Sequence, residues 1–114
     1  MDEKNAISAF QALAQPTRLA AFRLLVQAGP DGMAAGEIAA ALDARQNTMS
    51  ANLSVLHAAG LVRNAREGRS IRYFADYDTT RDLLSFLMED CCGGRPEICQ
   101  PLMERVACCP PETE

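Results

Sequence analysis

Tryptophan is absent from this sequence of 114 residues, and only 5% of the residues are aromatic. A protein built mainly from sheet relies on aromatic and β-branched side chains, so this composition disfavours one. Hydrophobic residues nevertheless make up 48% of the chain, which favours a core of packed helices. We therefore expect one α-rich domain, because a chain of this length is long enough for a single core and too short for two.

Long apolar runs are also missing. No stretch approaches the roughly 18 apolar residues that a membrane-spanning helix needs. The first segment, MDEKNAISAF, is polar and has no apolar run of signal-peptide length. These two features predict a cytoplasmic protein with no membrane partner.

Cysteine is absent from the first 90 residues, and all five cysteines lie between positions 91 and 109. An odd number of cysteines at one end of a chain is unlike a structural disulfide framework. A reducing cytoplasm also keeps thiols free. A disulfide staple is therefore disfavoured, and a soft-ion site or a reactive thiol explains the cluster better.

Positive charge is scarce overall, since the formal net charge is −4, yet one segment concentrates it. Residues 45 to 75 contain five arginines and a single acidic residue, Glu67, which gives a local balance of +4 and leaves −8 for the rest of the chain. Salt screens each patch beyond about 10 Å, so a local basic segment indicates contact with a polyanion despite the acidic remainder. Charge alone does not separate this interpretation from a solvated arginine-rich face.

Apolar residues at helical spacing predict four helices before position 60. The expected stripes are Ile7, Phe10 and Leu13 on the first helix and Leu19, Phe22, Leu25 and Val26 on the second. The residues expected to face inward on the next two helices are Ile38, Leu42, Met49, Leu53 and Leu56. Only residues 43 to 45 separate those two helices, which is the spacing of a helix-turn-helix.

Two β-prone runs, LVRNAR and RSIRYFA, meet around residues 67 and 68 and predict a hairpin with an arginine-rich tip. The segment DTTRDLLSFLMEDCC then predicts a last helix, capped at Asp78 or Thr79, which ends at the paired thiols of Cys91 and Cys92. The predicted fold is mainly α with a small β-hairpin wing, a winged helix-turn-helix.

Three segments carry a resemblance to a known family: ALAQPTRLAAFRLL, GEIAAALDARQNTMSANLSVLHAAGLV and REGRSIRYF. Over residues 6 to 90 the chain resembles the ArsR/SmtB family of bacterial metalloregulatory repressors, most specifically from Gln46 to Arg72. The resemblance implies a homodimeric winged-helix repressor whose first and last helices form the dimer interface. It also implies that a bound metal or metalloid releases the repressor from its operator DNA.

The second helix of the predicted helix-turn-helix has a polar outward face that fits a DNA major groove. Asn and Gln side chains pair with adenine, and Ser and Thr side chains bond bases or phosphates. The residues expected to contact DNA are Arg45, Gln46, Asn47, Thr48, Ser50, Ala51 and Asn52 on this helix, with Arg66 and Arg69 on the wing. The sequence does not decide whether Arg18 is a surface cation or a phosphate contact. The only histidine, His57, is not assigned to a site.

Thiolates are soft donors that select thiophilic ions. Many family members place cysteines before the recognition helix or histidines on the last helix, and this chain has neither. The remaining arrangement, Cys91 and Cys92 with Cys99 across the loop GGRPEI, is similar to that of arsenic-responsive members. The resemblance thus implies a tail, residues 93–114, which completes the inducer site of a DNA-binding and dimerisation domain, residues 1–92.

The number of thiolates bears on the inducer. Three thiolates suit As(III) or Sb(III), whereas Zn(II) prefers a tetrahedron and would have to recruit Cys108, Cys109 or water. The count therefore favours As(III) as the inducer without excluding a zinc sensor. A second alternative is a redox switch, in which Cys91 or Cys92 forms a disulfide with Cys99.

An enzymatic function is the least favoured alternative. Cys99 and Arg105 match the pattern C-x5-R of phosphate-binding catalytic loops. However, the intervening Pro101 has no N–H to offer an oxyanion, and the carboxylate of Glu104 would repel one. We therefore predict a regulator rather than an enzyme.

Overall fold

The computed structural model describes residues 1–89 and 95–105 of the chain. Its elements are α1 (Glu3–Leu13), α2 (Pro16–Ala28), a 3-10 turn (Gly29–Asp31), β1 (Met33–Ala34), α3 (Ala35–Ala41), α4 (Gln46–Ala58), β2 (Val62–Glu67), β3 (Ser70–Ala75), α5 (Tyr77–Leu87) and α6 (Pro96–Arg105). Helices α3 and α4 form a helix-turn-helix, and β2 and β3 form the wing. The predicted winged helix-turn-helix is confirmed. Among the described residues, no helix has both the length and the apolar character to span a bilayer.

The core lies between α2, α3, α4 and the inner face of the wing. Its largest fully buried side chains are Leu25, Ile38, Met49, Leu53, Leu56 and Leu61. The inward positions predicted for α4, namely Met49, Leu53 and Leu56, are confirmed, since none of them has exposed surface. Burial of this stripe fixes the rotation of α4 about its axis, because residues three and four apart share one helix face.

The first helix buries a different face from the one its large apolar residues suggest. Ala6, Ala9 and Ala12 are buried against the rest of the chain, whereas Ile7 and Phe10 are 48% and 38% exposed. Both sets repeat at a spacing of three, so periodicity alone does not decide which set faces the core. The small alanine side chains allow α1 to approach the core, and the stripe of Ile7 and Phe10 faces outward.

The last helix of the winged domain begins and ends earlier than the sequence predicts. Asp76, rather than Asp78 or Thr79, caps α5, because its carboxylate accepts a hydrogen bond from the backbone N–H of Thr79 at 3.0 Å. This bond satisfies one of the N–H groups that the first turn leaves without an internal partner. At its other end α5 stops at Leu87, where the following residue has left helical geometry, so this helix ends before position 91.

A strand of two residues, which the sequence does not reveal, completes the sheet in the order β1–β3–β2. Arg72 of β3 also binds the segment just before β1, because its Nη1 donates to the carbonyl oxygens of Asp31 and Gly32 at 2.9 and 3.1 Å. The Nε of Arg72 also lies 3.2 Å from a carboxylate oxygen of Glu67. One of the five arginines of the basic segment therefore holds the wing to the body of the protein.

Gly32→Ala is expected to destabilise the protein more than Gly29→Ala does. Both glycines have a positive φ, +63° and +76°, so alanine is strained at either position. A Cβ at position 32 would fall against the carbonyl oxygen of Tyr73 and 2.6 Å from a ring carbon of Phe74, whereas a Cβ at position 29 would meet nothing within 4 Å. We expect this overlap to cost about 2 kcal/mol beyond the backbone strain.

The measurement is the difference between the free energies of unfolding of the two variants, obtained from urea titrations. Equal losses in the two variants would contradict a steric requirement for glycine where β3 approaches position 32.

Candidate nucleic-acid interface

The first half of α4 presents polar and small side chains to solvent. Six of the predicted contact residues are exposed there: Arg45, Gln46, Asn47, Thr48, Ser50 and Ala51. Arg45 precedes the helix as its N-cap and forms no capping bond with its side chain. Because the opposite face is buried in the core, this surface points away from the protein. An α-helix fits the major groove, and its N-terminal partial positive charge favours nearby phosphate.

Asn52 is the seventh predicted position on this helix, and its environment differs from that of the other six. It is half-buried, and its side-chain oxygen Oδ1 accepts a hydrogen bond from Nη1 of Arg18 at 3.3 Å. The Nε of Arg18 donates to the backbone carbonyl of Ala12 at 2.6 Å. Arg18, which the sequence left open between a surface cation and a phosphate contact, therefore bridges α1 and α4.

The tip of the wing carries the second predicted group of contacts. The strands pair without interruption as far as Glu67 and Ser70, which leaves Gly68 and Arg69 as a two-residue turn. Such tight hairpins need a left-handed conformation, and Gly68 has a φ of +62°. Arg69 in the turn and Arg66 at the end of β2 are both exposed. Their guanidinium groups can therefore reach an anionic partner beside α4, which contacts β2.

Arg63 lies further from the tip, on the outer face of the wing. Its guanidinium carbon is 5.4 Å from the ring centroid of Phe74, the residue opposite it on β3. This distance is within the range of a cation–π contact. The five arginines of the basic segment thus divide into two that contact other wing residues, Arg63 and Arg72, and three that are exposed at the helix start and the wing tip.

Sequence reasoning missed one further polar residue on the exposed face of α4. Ser54 is exposed and follows Ser50 by four residues, so the two hydroxyl groups lie on the same side of the helix. The spacing from Ser50 was the available signal. Ser54 lies closer to the C-terminal end of the helix than the predicted contacts.

Of the predicted metal ligands, only the backbone of Cys99 falls within the described residues. Outside them lie Cys91, Cys92, Cys108 and Cys109. Cys99 is in the first turn of α6, so the sequence-based loop GGRPEI is wrong in its second half, where residues 96 to 98 are already helical. Pro96 explains the difference, because a proline suits the first helical position, where its missing N–H is not needed. Among the described residues there is no group of three potential metal-ligating side chains.

Comparisons with known proteins agree with this geometry. A family model described as a helix-turn-helix domain matches residues 13–64. The winged helix-turn-helix DNA-binding domain of Mb0332 from Mycobacterium bovis, a homodimer described as a possible ArsR-family transcriptional regulator, is 31% identical over 76% of this chain and 81% of that chain, with a TM-score of 0.62. This chain belongs to the ArsR family.

Other solved structures are also similar to this chain. NolR from Sinorhizobium fredii is 31% identical to this ArsR-family protein over 75% of this chain and 83% of that chain, with a TM-score of 0.60. An ArsR-like transcriptional regulator from Rhodococcus sp. RHA1 is 25% identical over 91% and 93%, with a TM-score of 0.66. No curated protein sequence matches the chain significantly. As a member of the ArsR family, the protein is a DNA-binding transcriptional regulator and not an enzyme.

Proposed function

We propose that this ArsR-family protein is a homodimeric repressor, which releases its operator when As(III), or Sb(III), binds to Cys91, Cys92 and Cys99. The observation that carries the DNA-binding part is the exposed polar face at the start of α4 beside the arginines of the wing tip. In a dimer each α4 enters a major groove. The two half-sites of a pseudo-palindromic operator then lie about one helical turn, roughly 34 Å, apart.

Exposed apolar side chains on two helices support a dimer. Ile7 and Phe10 on α1 are joined by Leu84 and Leu87 on α5, which are 52% and 57% exposed. The two helices contact one another. A neighbouring set of large apolar side chains on a protein surface favours association, because association removes that surface from water. The homodimeric state of the Mycobacterium bovis relative agrees with this interpretation.

The chemistry of the thiols supports the choice of inducer. Three thiolates fill the bonding positions of trivalent arsenic, whose lone pair takes the remaining direction, whereas zinc needs a fourth ligand. In the sequence, Cys91 and Cys92 stand between α5 and α6, and Cys99 stands in the first turn of α6. One ion bound by all three would therefore connect α6 to the end of α5, one of the two helices that carry the exposed apolar side chains.

Release requires a coupling free energy between the inducer site and the DNA. A coupling of about 1 to 3 kcal/mol would weaken operator affinity about 5- to 150-fold. A change in the geometry of the dimer is sufficient for this effect, because both recognition helices have to match the spacing of the two grooves at once.

The proposal is tested by fluorescence anisotropy of the protein on the DNA upstream of its own coding sequence, under reducing conditions. Arsenite and Zn(II) are titrated separately, and we expect arsenite to release the DNA at concentrations where zinc does not. Release by zinc alone would replace the proposal with a four-ligand zinc sensor that uses Cys108 or Cys109. Release only by an oxidant, with reductant omitted, would replace it with a thiol redox switch.

Arg69→Ala is expected to weaken binding to operator and to unrelated DNA by a similar factor. An exposed wing arginine that contacts phosphate releases one counterion, so its removal should lower the slope of log Kd against log salt concentration by about 1. The control is Arg81→Ala, which removes an exposed arginine of α5 that pairs with Asp78. A slope that Arg69→Ala leaves unchanged would place the wing tip away from phosphate.

A further inference from the structure

Arg18 binds a backbone carbonyl at the end of α1 that lacks its usual helical hydrogen bond. The carbonyl of Ala12 would normally accept from the backbone N–H four residues later, but that residue is Pro16, which has none. The Nε of Arg18 donates to this carbonyl instead, at 2.6 Å. Arg18 is itself held at the start of α2, where its backbone N–H donates to the side chain of Gln15 at 2.7 Å. A cation at the C-terminal end of α1 is also favoured by the dipole of that helix.

The same guanidinium reaches the recognition helix. Its Nη1 donates to Oδ1 of Asn52 at 3.3 Å, so one planar group connects the end of α1 to a residue of α4. The two helices leave an open groove of about 320 Å³ beside this bridge, lined in part by Ser8, Gln11 and Val55. Side-chain packing does not fill the space between α1 and α4 there. The bridge through Arg18 therefore adds a constraint that packing does not supply.

The bridge also decides which end of the Asn52 amide is available to DNA. An asparagine that pairs bidentately with adenine accepts through its oxygen and donates through its nitrogen. The oxygen of Asn52 is directed at Arg18, so the nitrogen lies on the far side of the amide with two N–H donors. Asn52 can thus donate to an acceptor on a base edge, such as a purine N7.

We infer that Arg18 is a positioning residue for operator recognition: it fixes α4 to the end of α1 through Asn52 and sets the orientation of the Asn52 amide. This inference rests on the proposed operator binding and is independent of the inducer. Because α1 carries Ile7 and Phe10 on its outward face, the bridge also joins the recognition helix to the helix proposed to contact the second subunit.

The test measures Kd for two DNA duplexes, one selected by the parent protein from a random pool and a scrambled one of the same composition. The variants are Arg18→Ala, Arg18→Lys, Asn52→Ala and the double variant Arg18→Ala/Asn52→Ala. The matched control is Arg23→Ala, which removes an exposed arginine from the same helix. Circular dichroism of each variant reports whether it folds.

We expect Arg18→Ala to weaken binding to the selected duplex about tenfold, the loss associated with one charge-assisted hydrogen bond. Binding to the scrambled duplex and the salt slope should match those of Arg23→Ala. Arg18→Lys should resemble Arg18→Ala, because an ammonium group does not present two donors in a fixed fork. The double variant should bind as Asn52→Ala does, because Arg18 has nothing left to orient once the Asn52 amide is removed.

A direct phosphate contact by Arg18 would give the opposite pattern and overturn the inference. Arg18→Lys would then keep most of the affinity, and Arg18→Ala would weaken both duplexes while lowering the salt slope by about 1. Additive losses in the double variant would also overturn it. Should Arg18→Ala fail to fold, Arg18→Lys replaces it in the double variant: binding like that of Asn52→Ala would support the bridge, and additive losses would refute it.

The inference and the proposed function fail in different ways. A parent protein that selects no common sequence from the pool contradicts operator binding and the inference together. A parent protein that selects one sequence while Arg18→Ala, Arg18→Lys and Asn52→Ala bind it unchanged contradicts the inference alone.

Discussion

Cys99→Ser is expected to bind operator DNA like the parent protein and to lose its response to arsenite. A hydroxyl group is a hard, protonated donor at neutral pH, so serine leaves two thiolates where the proposed site has three. With only two thiolates, arsenite should no longer couple the inducer site to DNA binding. The expected 5- to 150-fold loss of operator affinity on adding arsenite should then nearly disappear. Fluorescence anisotropy with and without saturating arsenite measures the two affinities in one experiment.

Cys108→Ser is the matched control, because it removes one thiol of the same tail that lies outside the proposed triad. It should retain the full response. A parent-like response in Cys99→Ser would refute the triad. Loss of the response in Cys108→Ser together with Cys99→Ser would indicate a four-ligand site and direct attention to zinc. Neither variant should change the affinity for DNA without arsenite, since neither cysteine is among the residues predicted to contact DNA.

Ile7→Glu is expected to convert the proposed dimer into monomers and to weaken operator binding by at least 100-fold. Ile7 is 48% exposed on the outward face of α1, where a carboxylate in a dimer interface would lose water without gaining a partner. Two linked DNA-binding units gain about 10²- to 10⁴-fold in avidity over one, and dissociation removes that gain. Sedimentation equilibrium gives the oligomeric state, and anisotropy gives the affinity.

Asn5→Glu provides the control for this prediction. It adds the same charge to an exposed residue two positions earlier on α1, which faces about 200° away from Ile7. This variant should remain dimeric and bind the operator like the parent. If Ile7→Glu also remained dimeric, the subunits would have to meet through a surface other than the outward face of α1.

The recognition helix and the wing could be predicted from the sequence because their patterns are local. In α4, Met49, Leu53 and Leu56 recur on one side, and the polar residues between them leave only one face to bury. In the wing, two β-prone runs meet at a glycine that suits a tight turn, and the turn fixes the register of the strands. These features need no knowledge of what packs against them.

Other features depend on distant partners and could not be predicted. Ile7 faces outward because α1 approaches the core through its small alanine side chains. The periodicity of one helix does not reveal how close that approach is. Strand β1 has only two residues and exists because β3 lies beside it. The role of Arg18 depends on a residue 34 positions later in the chain. The sequence predicts a loop at Pro96, because proline occurs both in loops and at the start of a helix.

The attachment of the wing bears on the entropy of binding DNA. Arg72 and strand β1 hold β3 against the body of the protein at Arg72 and Tyr73, and the tip around Arg66 and Arg69 projects beyond these contacts. A hairpin restrained in this way has little conformational freedom left to lose on contact with DNA. Ordering of the wing therefore offsets little of the favourable free energy of the proposed phosphate contacts, because the hairpin is already restrained before it meets DNA.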